Sequence, residues 1–488
     1  YNYLFSAGGD LRLAWADIKL IASDQKALAT YANYDYDGSI TPFVSFRPVE
    51  QYGEQKTLEL QLLSNADTPY AELISFVAGL YYLEGDGGFP TLELNVIANS
   101  GLLGTGPLFS ELQAFRNNLM AIAGPVLSGL ANEPITAVSG GILTSESLSA
   151  YVQGTIHLQQ MFALRDQVNL ILGLRVQEET RGLEDNRLGA LAPITNEEVT
   201  LLRFSVDDVS EIQLPYKVAL QWFPSDTVQI YGGVSRGFTA PTYNTVNFFS
   251  APDRLKAQRT DSYELGIKTQ LFDQTLTLNA ASFYIKQKEL LTAFASVTSG
   301  GVVRFDNAKA ARIYGFEFDA AWQIMPELNP GLAVIGSFSY LNAEYTDYKN
   351  ARGYDALTGV SFGEGAPLPA RDVSGNKIVR TPPISYNIGI NQSIELANAD
   401  RLELAVDTNY SAEFYFDPAN QKEFENPAFQ IFDARATYFH ERLGLELTGF
   451  VRNLTKEKYY ASLFLLDPGM NVTLNAPRTY GVRLKYTF

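Results

Sequence analysis

The sequence predicts an all-β fold, a large antiparallel transmembrane β-barrel with about seventeen strands in its 488 residues. Three observations predict it. Apolar and polar residues alternate with period two over long stretches. Short polar turns alternate along the chain with long connections. Large rings abound, 28 Tyr and 30 Phe against 4 Met, and rings suit strands and water–lipid interfaces.

The alternation is clearest at 212–222, where Ile212, Leu214, Tyr216, Val218, Leu220 and Trp222 share one face while Gln213, Lys217 and Gln221 take the other. In 263–271, Tyr263, Leu265, Ile267 and Leu271 oppose Glu264, Lys268 and Gln270. At the end of the chain Tyr480, Val482, Leu484, Tyr486 and Phe488 oppose Arg483, Lys485 and Thr487. These runs reach the roughly 9–11 residues that a tilted strand needs to cross a bilayer. The strands of soluble sandwiches are shorter, about 5–6 residues.

The connections follow in order. Short turns fall at 16–17, 64–69, 224–226, 273–274, 325–331, 398–400 and 441–444. Longer segments fall between them at 34–51, 84–144, 182–208, 239–255, 347–377 and 417–426. One of the long segments carries helical spacing: Leu112, Phe115, Leu119, Met120 and Ile122 recur across 109–130, with Gly124 and Pro125 as the break. Candidate strands run from 11–15 to 478–488. If the last strand runs toward the periplasm, every short turn lies on the periplasmic side. The first strand then runs downward, with which a complete barrel does not begin.

Composition narrows the function. A hydrophobic fraction of 46% without an uninterrupted apolar run of roughly 18 residues argues against spanning helices. Only alternate barrel residues face lipid, so a spanning barrel reads as hydrophilic on average. Zero cysteines exclude thiol catalysis, thiolate metal sites and a disulfide scaffold. A net charge of −17, from 37 basic and 54 acidic side chains, argues against nucleic acid and suits acidic outer loops.

Five runs carry a family resemblance: YGGVSRGFTAPTY at 231–243, YELGIK at 263–268, NAKAARIYGFE at 307–317, VRNLTKEKY at 451–459 and PRTYGVRLKYTF at 477–488. In this order and spacing the chain resembles the TonB-dependent outer-membrane receptors, in their C-terminal barrel portion. A final Phe488 resembles the residue by which the barrel-assembly machinery recognises such chains. The resemblance implies a 22-strand barrel enclosing an N-terminal plug, in the outer membrane of a Gram-negative cell and in contact with its lipid and lipopolysaccharide. It implies energy-coupled uptake of a scarce ligand, a ferric siderophore foremost, driven by the TonB–ExbB–ExbD complex acting on the plug. These 488 residues show neither a plug-like segment nor an energy-coupling box, and about five further strands are expected outside them.

Candidate ligand contacts are the rings in or beside the outer segments: Tyr36, Phe43, Tyr243, Phe248, Phe249, Tyr415 and Phe416. They suit stacking on an aromatic or macrocyclic ligand, and equally an outer girdle or loop packing. The acidic turn Tyr34 to Gly38 offers oxygen ligands but lacks the spacing of a calcium loop, so it reads as a solvated turn. His157 and His440, the only histidines, fall at periplasmic strand ends without catalytic partners. Arg236 shares the lipid face with Val228, Ile230 and Val234 near the outer rim, where a lipid phosphate would accept it. Glu264, Lys268, Arg483 and Lys485 are expected to solvate the lumen or grip a plug. No cofactor is expected. The competing classes are a passive channel, which a plugless barrel this wide would be, and an outer-membrane enzyme.

Overall fold

The computed structural model describes residues 2–30, 34–35, 44–96, 107–124, 135–192, 195–244, 251–295, 303–364, 366–466 and 469–487. One antiparallel sheet of twenty hydrogen-bonded segments dominates it. Tyr34–Asp35 is a small flap on its neighbour. Glu198–Arg203 and Val209–Gln213 prolong the strand Tyr216–Ser225, because all three pair with Gln167–Leu191. Seventeen wall strands remain, the number the periodicity predicts.

In chain order they are β1 (Asn2–Arg12), β2 (Asp17–Ala29), β3 (Val44–Leu63), β4 (Ile74–Val96), β5 (Ile135–His157) and β6 (Gln167–Leu191). Next come β7 (Tyr216–Ser225), β8 (Val228–Thr239), β9 (Gln258–Leu271), β10 (Leu276–Ala295), β11 (Val303–Gln323) and β12 (Leu332–Asp347). The series closes with β13 (Ile384–Glu395), β14 (Arg401–Ser411), β15 (Phe429–His440), β16 (Leu445–Arg452) and β17 (Thr479–Tyr486). Each pairs with the next in antiparallel register, from Asn2↔Ala27 through Leu445↔Tyr486. Among the described residues no ladder joins β1 to β17.

Strict up-and-down pairing places eight connections of ten residues or fewer at one end. They lie at 13–16, 64–73, 158–166, 226–227, 272–275, 324–331, 396–400 and 441–444. Thr487 donates its backbone N–H to the carbonyl of Gly444 at 2.9 Å, so the end of the chain sits at this same end. Gly444 adopts φ 60°, and a Cβ there would lie 2.4 Å from the Thr487 carbonyl oxygen. Only glycine fits that turn.

The faces follow the pleat. Ile212, Leu214, Val218, Leu220, Val482, Leu484 and Tyr486 are all exposed, Ile212 at 66% and Val482 at 75%, as a lipid-facing row is in the absence of lipid. The opposite face is polar and internally bonded. Gln213 is buried and donates to Glu211, Glu264 accepts from the Tyr231 hydroxyl at 2.7 Å, and Lys268 lies over the Tyr231 ring. Arg483 pairs with Glu446 at 2.9 Å and Lys485 with the same carboxylate at 3.7 Å. No helix among the described residues is long and apolar enough to cross a membrane.

Several sequence expectations are corrected. The first strand is Asn2–Arg12 rather than 11–15, because Leu13 donates to the carbonyl of Ala16 and closes the turn at 13–16. The run 212–222 is interrupted at Leu214 and Pro215, since proline brings no N–H to the ladder. The segments 34–51, 84–144 and 182–208 are not all loop. β3 to β6 hold 20, 23, 23 and 25 residues and climb far past a bilayer. The ladder continues above the lipid, but register shifts at Pro48–Tyr52, Phe89–Leu92 and Gly140–Ile142 break the period-two pattern there.

The helix lies where its spacing predicts, as α1 (Pro107–Ala123). Phe115, Leu119 and Ala123 are buried against Val44, Leu92, Leu94, Val96, Ile135 and Leu188. This loop element thus fills the apolar face of the tall strands.

Candidate ligand-binding site

The outer end of β10 to β15 carries a layer of connections tied into one body. Four asparagines and glutamines do most of the tying. Asn244 donates to the carbonyl of Phe305 at 3.0 Å and accepts its N–H at 2.9 Å, joining the 240–257 connection to β11. Asn376 donates to the Pro418 carbonyl at 2.9 Å, and Asn420 exchanges bonds with the backbone of Lys377 at 2.7 and 3.0 Å. Gln421 donates to the Tyr354 carbonyl at 2.8 Å and accepts the Ala356 N–H at 2.9 Å. These bonds bind the 348–383 connection to the 412–428 connection. Beneath them Tyr345, Tyr348, Ala308, Ala351 and Val373 form a small buried core.

Charges within this layer are paired. Arg371 reaches Asp355 at 2.6 Å, and that carboxyl is held down at about 2 by the guanidinium and by bonds from Thr358. Asp417 is buried and its carboxyl is pushed up by desolvation, against which the bonds from Gln421 work. Arg352 bridges Asp306 at 3.3 Å and Glu364 at 3.1 Å, and Arg304 pairs with Asp253. The Tyr348 hydroxyl, bonded to Thr292 at 3.0 Å, is pushed up to about 12 by burial and stays neutral.

Rings and cations are combined repeatedly. Arg371 lies 4.2 Å from the Phe362 ring centre, Arg380 5.4 Å from Phe416, Arg352 5.9 Å from Phe294 and Lys377 6.0 Å from Tyr415. Phe414 packs tilted against Phe416 at 5.2 Å, and Phe429 stacks on Tyr459 at 3.8 Å. Half-exposed rings beside cations can hold an anionic group with a conjugated face.

Of the rings proposed from sequence, Tyr415 and Phe416 lie half-buried in this layer. Tyr243 is 7% exposed, packs with Leu183 and Val209, and donates to the Asp207 carbonyl at 2.5 Å, so it fastens the loop base. Tyr36, Phe43, Phe248 and Phe249 lie outside the described residues, as does most of the acidic turn at 34–38. The layer's tying residues escaped the sequence reading. Their partners stand over forty residues away, where no local pattern reaches.

The two histidines close β5 and β15 at the short-turn end of the sheet. His157 faces the Asn169 amide oxygen at 3.0 Å, and His440 contacts Asp400 at 2.7 Å. Among the described residues no group of acids and histidines forms a metal cluster.

A seventeen-strand up-and-down wall with short turns at one end and a bonded loop layer at the other defines an outer-membrane receptor barrel. Residues 2–454 match the family model described as TonB dependent receptor-like, beta-barrel, and the chain belongs to that family. Its fold is that of the ferric yersiniabactin uptake receptor FyuA of Yersinia pestis, with TM-score 0.68 at 16% identity over 99% of this chain and 61% of that one. It is equally similar in kind to the siderophore receptor PiuA of Acinetobacter baumannii, with TM-score 0.63 at 17% identity over 99% of this chain and 64% of that one. A stretch of 92 residues is 36% identical to the metal-pseudopaline receptor CntO of Pseudomonas aeruginosa, covering 19% of this chain and 12% of that receptor. The chain therefore spans less than two thirds of the length of these relatives.

Proposed function

We propose that this barrel belongs to a Gram-negative outer-membrane receptor for energy-coupled uptake of a chelated metal, foremost a ferric siderophore. The family match over residues 2–454 carries the reading. FyuA is a ferric yersiniabactin uptake receptor, PiuA a siderophore receptor and CntO a metal-pseudopaline receptor, which supports the substrate class. The pairing of half-buried rings with cations at Tyr415 and Phe416 supports an anionic chelate with conjugated groups.

In this reading the wall holds the ligand layer above the membrane, and its bonded lumen face receives a plug. The plug and about five further strands complete the barrel between β1 and β17, and TonB–ExbB–ExbD acts on the plug. The test is uptake of radiolabelled ferric chelates by iron-starved cells carrying the native-length receptor. Uptake should vanish without TonB or without the proton gradient, and fall several-fold in Tyr415→Ala/Phe416→Ala. Uptake that persists without both would make the protein a passive channel.

A further inference from the structure

The lipid-facing outer rim is electrically divided, and the division follows strand register. On β2 to β6 the outward positions near the rim hold six carboxylates, Asp24, Glu54, Glu84, Asp86, Glu146 and Glu178, with only Lys26 and Lys56 among them. On β8 to β12 the sign reverses. Arg236, Asp261, Lys286, Arg312 and Glu344 lie in one register row across five strands. One pleat step further out, Arg259 stands beside Lys288. Five cations meet two acids there, in a chain whose net charge is −17.

Their surroundings give the patch a purpose. One pleat step of about 7 Å toward the membrane centre lies a row of rings, Tyr263, Tyr284 and Tyr314, with centres 6.3 and 6.4 Å apart. That row is an interfacial girdle, the depth at which lipid headgroups sit. Below it a shallow apolar groove runs along β10, floored by Ala280 and Ser282 and walled by Leu265, Ile267, Phe316 and Phe318. Small residues on one strand between large ones on its neighbours leave a channel open to the lipid. Arg236 is already neutralised by Asp261 at 2.6 Å, and Arg312 by Glu344. Among the described residues Lys286, Lys288 and Arg259 have no ion-pair partner, and Lys286 lies 5.5 Å over the Tyr284 ring. A free cation at headgroup depth above an acyl groove matches one ligand, a lipid whose headgroup carries phosphate.

We infer that the outer face of β8 to β12 is a specific site for a phosphorylated outer-leaflet lipid. Lys286, Lys288 and Arg259 hold the phosphate, and the β10 groove takes one acyl chain. The inference needs the outer-membrane placement but not the uptake reading. The site answers the sequence expectation for Arg236 in altered form: Arg236 anchors the row by pairing with Asp261, and the unpaired lysines beside it meet the phosphate.

The test titrates the purified native-length protein, in neutral detergent, with lipid A bearing two phosphates and with the same lipid dephosphorylated, read by native mass spectrometry. The phosphorylated lipid should bind roughly tenfold more tightly. Lys286→Gln/Lys288→Gln should erase that preference, and Lys26→Gln/Lys56→Gln on the acidic side should leave it. Equal binding of the two lipids, or an unchanged preference in Lys286→Gln/Lys288→Gln, overturns the inference. Displacement by inorganic phosphate at the lipid's own concentration also overturns it, in favour of a free-anion site. If the double variant fails to show the heat-modifiable mobility of a folded barrel, the two-lipid comparison on unaltered protein decides alone. There the preference should shrink between roughly 0.05 and 0.5 M salt, and a salt-independent preference overturns the inference.

Discussion

At the scale of single residues, long-range partners decide what a side chain does. Asp355 looks like any loop acid in the sequence, yet Arg371 and Thr358 hold its carboxyl at about 2. A folded value below the unfolded one, about 3.9, means that its stabilisation is present above about pH 4. That contribution is lost as pH falls through about 2. Arg371→Gln should therefore move the Asp355 titration upward toward pH 4 and free the 353–371 turns at milder acidity. Carboxyl titration by NMR with labelled aspartate measures it, and an unmoved titration would count against the Arg371 contact. Tyr243 teaches the converse. Its ring was a fair candidate for stacking on ligand, but a neighbouring carbonyl and two aliphatic side chains bury it. Sequence shows that a ring lies in a connection and not which way the connection turns it.

At the scale of elements, the pleat makes the strongest forecasts. Leu220 faces lipid midway along β7, and Gln221 faces the lumen beside Tyr231. Leu220→Arg should cost about 2–4 kcal/mol, whereas Gln221→Arg should be nearly neutral. Urea midpoints of the barrel reconstituted in lipid compare them, and equal losses would reverse the assignment of faces. Strand number and the helix were legible because both depend on local periodicity, as at Phe115 and Leu119. The heights of β3 to β6 were not, since register shifts at Pro48–Tyr52, Phe89–Leu92 and Gly140–Ile142 interrupt the alternation above the membrane. The helix offers its own test. Phe115→Ala removes a ring buried among Leu92, Leu94 and Leu188, a change that costs about 3–5 kcal/mol in a packed core. Limited proteolysis should then cut the 97–134 connection many-fold faster while the barrel keeps its heat-modifiable mobility. Cleavage at the wild-type rate would mean the helix is held by something else.

For the whole molecule, the decisive feature is the pair of sheet margins at β1 and β17. Unpaired backbone groups do not stay exposed to hydrocarbon, so the proposed function has each margin take a further strand when the barrel spans a membrane. The absence of native cysteine makes this easy to examine. Phe5→Cys/Leu484→Cys in the native-length protein should form no intrachain disulfide under mild oxidation, because such a bond needs Cα atoms about 4.4–6.8 Å apart. A bond formed in good yield would mean direct closure and a smaller pore.

The unequal height of the wall has a mechanical meaning. Over β3 to β6 the outer structure is backbone ladder between neighbouring strands, with register shifts at Pro48–Tyr52, Phe89–Leu92 and Gly140–Ile142. Over β12 to β16 it is side-chain bonding between connections, through Asn376, Asn420 and Gln421. One flank of the mouth is therefore stiff and the other compliant. On the proposed function, work done on the mouth by an arriving ligand would be absorbed on the compliant flank, whose bonds can break one at a time, while the stiff flank keeps the geometry against which that movement is measured.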